Sequence, residues 1–321
     1  MNALEKRIQQ IEEGINLLIK NNTDIKSIVS IGSYATNTID KFSDIDLYIF
    51  TTKPQKYLNK NDTSWLNSIG NIMSRRIFKD IREGVDKNKI IVENDLMYDL
   101  TIVSIKRFKI IKYFFSLKRN QLIWILPTVL RKGIENNILK FFQTVKRGYK
   151  IHNDKINLQT IVKHAIKFGN NYQNNIISMD LFVNNYNTFW QSCYTASVKL
   201  IRKEFYFTVL VYDYYMKKEL LWMIERASLI DNNKLDIFYD SLNIHKWGGD
   251  IHTKLHNTLL YGNIIEMQQA LLNSIELYQH FSSIIAQKYN FPLNKEFETF
   301  VINFIKNVAI FENEKNEPIY S

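Results

Sequence analysis

Residues 30–50, SIGSYATNTIDKFSDIDLYIF, decide the fold of this chain. Their order predicts a strand end, a Gly-Ser turn that opens a short helix, and a second strand with two aspartates. Because side chains alternate along a strand, one face of the second strand carries four of them: Asp44, Asp46, Tyr48 and Phe50. The two carboxylates lie about 7 Å apart at Cα. Like charges at that spacing weaken the folded state unless a cation binds them, and Mg²⁺ suits carboxylate and phosphate oxygens.

The Gly-Ser pair, Gly32 and Ser33, adds the features of a phosphate site. Glycine allows a ligand to approach the backbone, while the following helix start and the Ser33 hydroxyl offer donors to an anion. An ordinary turn before an edge strand with solvated aspartates would use the same residues. The combination of this turn with two aspartates on one strand face favours a nucleotide site.

A third carboxylate lies on a later strand, MYDLTIVS, at residues 97–104. Asp99 shares one face of this strand with apolar neighbours, and a buried aspartate is costly unless it is paired, hydrogen-bonded or bound to a metal. If this strand lies beside the one with Asp44 and Asp46, the three form one cluster. A surface aspartate at a strand start is the alternative.

Length and composition predict a chain of about two domains with sizeable cores. The 321 residues are 45% hydrophobic, and only ten Gly and four Pro interrupt them, which favours helices. The 42 Lys and Arg against 32 Asp and Glu give a net charge of +10, which suits a nucleotide or RNA partner. The basic residues are scattered, however, so a general compositional bias explains the charge better than such a partner.

Several features favour a cytoplasmic protein. The chain has one cysteine, Cys193, so it forms no internal disulfide. The first residues, MNALEKRIQQIEEG, are typical of a charged amphipathic helix rather than a signal peptide. The longest apolar runs are too short and too interrupted to cross a bilayer. We expect no membrane partner.

The pattern of apolar residues predicts an α+β chain. An N-terminal helix over 3–20 and a strand over 25–31 precede the Gly-Ser turn, and residues 147–154 predict a last sheet strand. Beyond Asn157 the chain is helical, with one long helix or two nearly continuous ones over 187–230. The expected domains are therefore 1–157, a mixed sheet with helices, and 158–321, a helical bundle.

Four blocks carry a resemblance to a known family. They are SWLNSIGNI at 64–72, YDLTIV at 98–103, FWQSCYTASVKLIRKE at 189–204 and KKELLWMI at 217–224. In order and spacing they resemble the bacterial aminoglycoside 6-adenylyltransferases, the streptomycin-modifying family. The resemblance implies a DNA-polymerase-β-like nucleotidyltransferase domain followed by a helical substrate-binding domain. It also implies ATP and Mg²⁺ in the cleft between them, and AMP transfer to an aminoglycoside hydroxyl as a means of antibiotic resistance.

The resemblance assigns roles to the residues of the first domain. Gly32 and Ser33 would hold the triphosphate of ATP. Asp44 and Asp46 would bind Mg²⁺ and position the reacting phosphate. Asp99 matches the third acidic position, where it would be either a further metal ligand or the base for the acceptor hydroxyl.

In the second domain, Arg202 and Lys203 match a family Arg-Lys-Glu and would reach the triphosphate. A solvated helix face or a salt bridge within the helix would explain them equally well. Three positions depart from the family pattern. Tyr34 replaces an arginine after Gly-Ser, and Thr188 and Leu210 replace acidic residues that would suit a polycationic acceptor.

Three hypotheses therefore follow from the sequence. The first is an aminoglycoside adenylyltransferase, active as a monomer or a homodimer. The second is the same chemistry on a lincosamide, another small hydroxyl compound or RNA. The third is a non-catalytic nucleotide-binding or antitoxin-like module, which the cost of keeping three carboxylates together argues against.

Overall fold

The computed structural model describes five ranges of the chain: residues 2–80, 85–93, 95–172, 177–231 and 243–307. The chain divides into two compact units, Met1–Asn175 and Ile176–Ser321. None of the helices in these ranges combines the length and the apolar character needed to cross a membrane.

The first unit combines a sheet with helices. Its strands are β1 (Ile25–Ile31), β2 (Ile45–Thr51), β3 (Ile72–Asp80), β4 (Val85–Val92), β5 (Leu96–Ser104) and β6 (Lys150–Asp154). Its helices are α1 (Ala3–Asn21), α2 (Gly32–Ala35), α3 (Pro54–Leu58), α4 (Ile105–Arg119), α5 (Thr128–Val145) and α6 (Leu158–Tyr172). Short 3₁₀ turns cover Ser64–Leu66 and Ile123–Ile125.

The six strands form one mixed sheet in the order β3-β4-β5-β2-β1-β6. The pair β2 and β5 is parallel, and the other neighbouring pairs are antiparallel. The central strands are buried on both faces, as expected for parallel neighbours whose connections cross the sheet. The strand that carries Asp99 therefore lies beside the strand that carries Asp46.

Helices cover the two faces of this sheet. On one face, Ile45, Leu47 and Ile49 of β2 join a core that includes Ile11 and Ile15 of α1. The spacing of the buried α1 residues is that of an amphipathic helix, and Asn2 and Glu5 form a capping box at its start. On the other face, residues of α4, α5 and α6 pack against Val29, Tyr48 and Phe50.

The second unit is built of helices throughout its described residues. They are α7 (Met179–Ile201), α8 (Phe205–Val211), α9 (Lys217–Asp231), α10 (Ile244–Trp247), α11 (Asp250–His256), α12 (Ile264–Tyr289) and α13 (Lys295–Lys306). A π-helical turn, Tyr212–Met216, joins α8 to α9. One core unites α7, α9 and α12, with the ring of Phe189 stacked on that of Tyr278 at 3.5 Å between centroids.

These elements confirm the α+β prediction of a mixed sheet with helices followed by a helical part. The polar stretch near Asn157 is a turn before α6, and α6 packs on the sheet and on α5 within the first unit. The chain passes from the first unit to the second between Asn175 and Ile176, which is further along the sequence than the expected boundary after residue 157. The assignment of a function to each domain stays a prediction.

Candidate active site

Two neighbouring strands bring three carboxylates together. Asp46 of β2 lies directly opposite Asp99 of β5 in the parallel register, and Asp44 lies just before β2. One oxygen from each of the three side chains lies within 4.8 Å of the others. All three residues are half-buried. The two strands are neighbours, so the structure forms the cluster that the sequence predicted for that case.

The local chemistry of this cluster fits a divalent cation. Oδ1 of Asp99 is buried and has no hydrogen-bond partner within the described part of the chain. Burial raises the pKa of the Asp99 carboxyl, and the charge of Asp44 raises it further. A half-buried carboxylate beside like charges is costly, and a bound cation would lower that cost. Mg²⁺ takes oxygen ligands of this kind.

A lysine that the sequence reasoning missed also faces the cluster. Lys89 of β4 lies opposite Asp99 in the antiparallel register, and its Nζ is 3.8 Å from Oδ1 of Asp99. Its positive charge lowers the pKa of Asp99 and so opposes the effect of burial. Lys87 lies two residues away on the same face of β4. No signal in the local composition marked this strand, because Lys, Asn and Lys at 87–89 all have low strand propensity.

Gly32 brings the Gly-Ser turn against the carboxylates. Its φ is +67°, and a Cβ at this position would lie 2.9 Å from Oδ2 of Asp46. Ser33 follows it in α2 and is half-buried. A left-handed backbone and a close approach to a side chain both require glycine here. The structure thus places Gly32, Ser33 and Asp46 in one locality.

Tyr34 is part of the support behind this turn. It is buried, its hydroxyl donates to Glu12 at 3.5 Å, and its ring stacks on that of His152 at 6.0 Å. Nζ of Lys150 lies 5.4 Å from the centre of the Tyr34 ring and 2.7 Å from Oε1 of Glu12. Burial and the charge of Lys150 lower the pKa of His152 to about 4. Lys150 thus places a positive charge beside Tyr34.

The second unit holds the predicted basic pair at the end of a helix. α7 ends at Ile201, and Lys203 takes a left-handed φ of +61° in the turn before α8. Nε of Arg202 lies 2.8 Å from Oε1 of Glu204. The prediction of one long helix or two nearly continuous ones over 187–230 is confirmed in its second form, because only the three residues of this turn separate α7 from α8. A non-glycine residue with positive φ reverses the chain locally, which the helical pattern did not reveal.

The two positions at which the resemblance led us to expect acidic residues also lie in the second unit. Leu210 of α8 is 63% exposed, and Thr188 of α7 is half-buried. Asp213 lies nearly one helical turn after Leu210, and its Oδ1 is 3.5 Å from Nζ of Lys217. Both Leu210 and Thr188 are therefore at least partly exposed to solvent on these helices.

Comparisons with known proteins identify the family. The family model described as streptomycin adenylyltransferase matches residues 6–308. No curated protein matches the sequence. Among solved structures, an aminoglycoside 6-adenyltransferase from Bacillus subtilis is similar, with 14% sequence identity, coverage of 92% of this chain and 96% of that chain, and a TM-score of 0.40. Since the family model spans nearly the whole sequence, the chain belongs to the streptomycin adenylyltransferase family and is a nucleotidyltransferase.

Proposed function

We propose that this protein transfers AMP from ATP to a hydroxyl group of an aminoglycoside of the streptomycin type, in the presence of Mg²⁺. The observation that carries the proposal is the cluster of Asp44, Asp46 and Asp99 in a chain of this family. A module that only bound nucleotide would gain nothing from keeping three like charges together. Modification of the drug would make the host resistant to it.

The carboxylates of Asp44 and Asp46 would hold the metal and, through it, orient the triphosphate. When bound, Mg²⁺ would neutralise charge on the phosphates and favour departure of pyrophosphate. The absence of a side chain at Gly32 lets the backbone of the turn lie against Asp46, so a metal-bound phosphate there would meet backbone rather than a side chain. The hydroxyl of Ser33 would donate a hydrogen bond to that phosphate.

Asp99 has two candidate roles, and both use its Oδ1, which accepts no hydrogen bond within the described residues and lies 3.8 Å from Nζ of Lys89. As a base it would accept the proton of the acceptor hydroxyl while that oxygen attacks the α-phosphorus in line. As a ligand it would complete a carboxylate set around the metal. Burial supports the first role because it raises the pKa of this carboxyl and so strengthens it as a base.

Arg202 and Lys203 belong to the proposal as residues that bind the triphosphate. The support is their match to the family Arg-Lys-Glu and their place in the turn after α7. The ion pair of Arg202 with Glu204 would compete with this role. Solvent screens an exposed ion pair, so a triphosphate would displace it readily.

The acceptor is the least constrained part of the proposal. An aminoglycoside is a polycation, and carboxylates are its natural partners. Positions 188 and 210 carry Thr and Leu, and the chain has a net charge of +10. These facts favour, as a second candidate, an acceptor with fewer charges, such as a lincosamide. The cytoplasmic location expected from the single cysteine stays a prediction.

A product assay tests the function. The enzyme is incubated with Mg²⁺, each nucleoside triphosphate in turn, and a panel of aminoglycosides and lincosamides, with pyrophosphate release and product mass as readouts. We expect pyrophosphate and an adenylylated drug with ATP and an aminoglycoside. Turnover with lincosamides alone would replace the first acceptor by the second. Failure with every drug on the panel would contradict the proposal.

A further inference from the structure

A groove of about 460 Å³ lies in the first unit, between the helices α4 and α6. Its lining includes four cations, which are Lys112, Lys118 and Arg119 of α4 and Lys167 of α6. None of the described residues that line it is an aspartate or a glutamate. Neither the three carboxylates nor the Gly-Ser turn belongs to the lining, so the groove is separate from the candidate active site.

Helical spacing places the lining side chains on facing surfaces of the two helices. Along each helix they recur at intervals of three or four residues. They include Lys112, Phe115, Ser116 and Arg119 on α4, and Thr160, His164, Lys167 and Asn171 on α6. Residues with this spacing share one face of a helix, so the groove forms where two such faces meet.

The positive charge of the chain is concentrated in the stretch that supplies one wall of this groove. Residues 105–147 contain eleven Lys and Arg and a single acidic residue, Glu135. Their net charge is therefore +10, which equals that of the whole chain, so the remaining residues are neutral on balance. A surface with this imbalance attracts polyanions and repels polycations.

Lys118 holds its charge in a partly desolvated position. Its Nζ lies 4.1 Å from the centre of the Phe168 ring, and Phe168 is buried. Burial lowers the pKa of Lys118, and the charge of Glu135, which does not line the groove, opposes that shift. A phosphate in the groove would stabilise the ammonium group that burial disfavours.

Aromatic rings lie among these cations. The ring of Phe115 lies 5.4 Å from that of His164 and 6.2 Å from that of Phe168. His164 is exposed, so its ring is accessible to a planar ligand. Proteins bind single-stranded nucleic acids by combining a positively charged groove with aromatic rings on which the bases stack. The groove has both features.

We propose that the groove between α4 and α6 binds single-stranded nucleic acid, with phosphates at the four cations and a base against His164. Contacts to phosphates and ring faces carry no sequence information, so the binding is largely independent of sequence. The inference goes beyond the proposed function, because ATP, metal and acceptor take no part in this contact.

A pair of double variants tests the proposal. Arg119→Gln with Lys167→Gln removes one cation from each wall of the groove. Lys109→Gln with Lys163→Gln is the matched control, since both lysines are exposed on the same two helices and neither lines the groove. The net charge changes equally in the two double variants. Glutamine is a good helix former, so both should unfold in urea like the parent.

Binding of a fluorescent single-stranded RNA is measured by anisotropy over a range of salt concentrations. A chelator keeps metal ions from bridging the RNA to the carboxylates. Each phosphate contact on a single strand contributes about 0.7 to the slope of log K against log salt. Loss of two contacts should therefore reduce the slope by about 1.4, which corresponds to roughly 25-fold weaker binding at about 0.1 M salt.

The control double variant should keep the parental slope and affinity. An equal loss in both double variants would show that only net charge matters and would overturn the proposal. Absence of RNA binding by the parent would overturn it as well.

Inorganic polyphosphate distinguishes a nucleic-acid site from a general phosphate site. Loss of a stacked base should weaken RNA binding at least about fivefold in His164→Ala, and polyphosphate binding should stay parental. Parental RNA affinity in His164→Ala would assign the groove to polyphosphate and overturn the proposal. These measurements use neither ATP nor a drug, so their failure leaves the proposed function untouched, and failure to modify any drug leaves the groove to be judged by its own variants.

Discussion

Replacement of Gly32 by alanine tests how closely the Gly-Ser turn and the carboxylates depend on each other. The new Cβ would lie 2.9 Å from Oδ2 of Asp46, whereas ordinary contacts begin at 3.4 Å, so the oxygen must retreat by about 0.5 Å. The φ of +67° adds backbone strain for any residue with a Cβ. The substitution therefore perturbs both the backbone and one proposed metal ligand.

The expected effects on stability and activity are of different size. The backbone strain costs about 1–3 kcal/mol of folding free energy. The side chain of Asp46 can rotate away, so the clash itself adds little to that cost. Misplacing a catalytic group by about 1 Å costs about 100-fold in rate, so a shift of half that size should lower kcat/KM by about tenfold or more.

Gly249→Ala is the matched control. Gly249 has a φ of +49°, and an added Cβ there would meet no atom within 4 Å. Urea unfolding should show a loss of about 1–3 kcal/mol in both variants. The rate of pyrophosphate release from ATP should fall only in Gly32→Ala. Equal activity of the two variants would refute the reasoning that Gly32 is required by its approach to Asp46.

Two further predictions concern titratable groups near the site. His152 has a folded-state pKa of about 4 against an ordinary 6.5, so the unfolded chain binds more protons between these values. The free energy of unfolding should therefore fall as pH falls from 6.5 to 4, by up to about 1.4 kcal/mol per pH unit, and the slope should be shallower in His152→Gln. Lys89→Met removes the charge that lowers the pKa of Asp99. The acid limb of kcat/KM against pH should move to higher pH, and an unchanged limb would show that Lys89 does not act on the catalytic carboxyl.

The sequence predicted the parts of the site that depend on strand periodicity. The common face of Asp46, Tyr48 and Phe50 follows from alternation along one strand. The register that sets Asp46 opposite Asp99 did not follow from the sequence, because pairing between distant strands is decided by the buried faces of the whole sheet. The adjacency of these strands had therefore to be assumed.

Other features were hidden by local composition. The strand β4 carries Lys87, Asn88 and Lys89, residue types with low strand propensity, so local composition disfavours a strand over these residues. Asn88 is nevertheless buried, and it accepts a hydrogen bond from Nε of Arg75 at 2.9 Å. Tertiary packing thus stabilises β4 as a strand although the strand propensity of these residues is low. The position of the turn at Lys203 also could not be predicted, because no glycine or proline marks it in the sequence.

The central claim is that the three carboxylates are the centre of an AMP transfer reaction, and Asp46→Asn tests it most directly. The substitution keeps the size of the side chain and removes one proposed metal ligand. The parent enzyme with ATP, streptomycin and Mg²⁺ should release pyrophosphate and yield adenylylated drug, and chelation of the metal should stop it. Asp46→Asn should unfold cooperatively like the parent and form no product. Product formation by this variant at the parental rate would contradict the account.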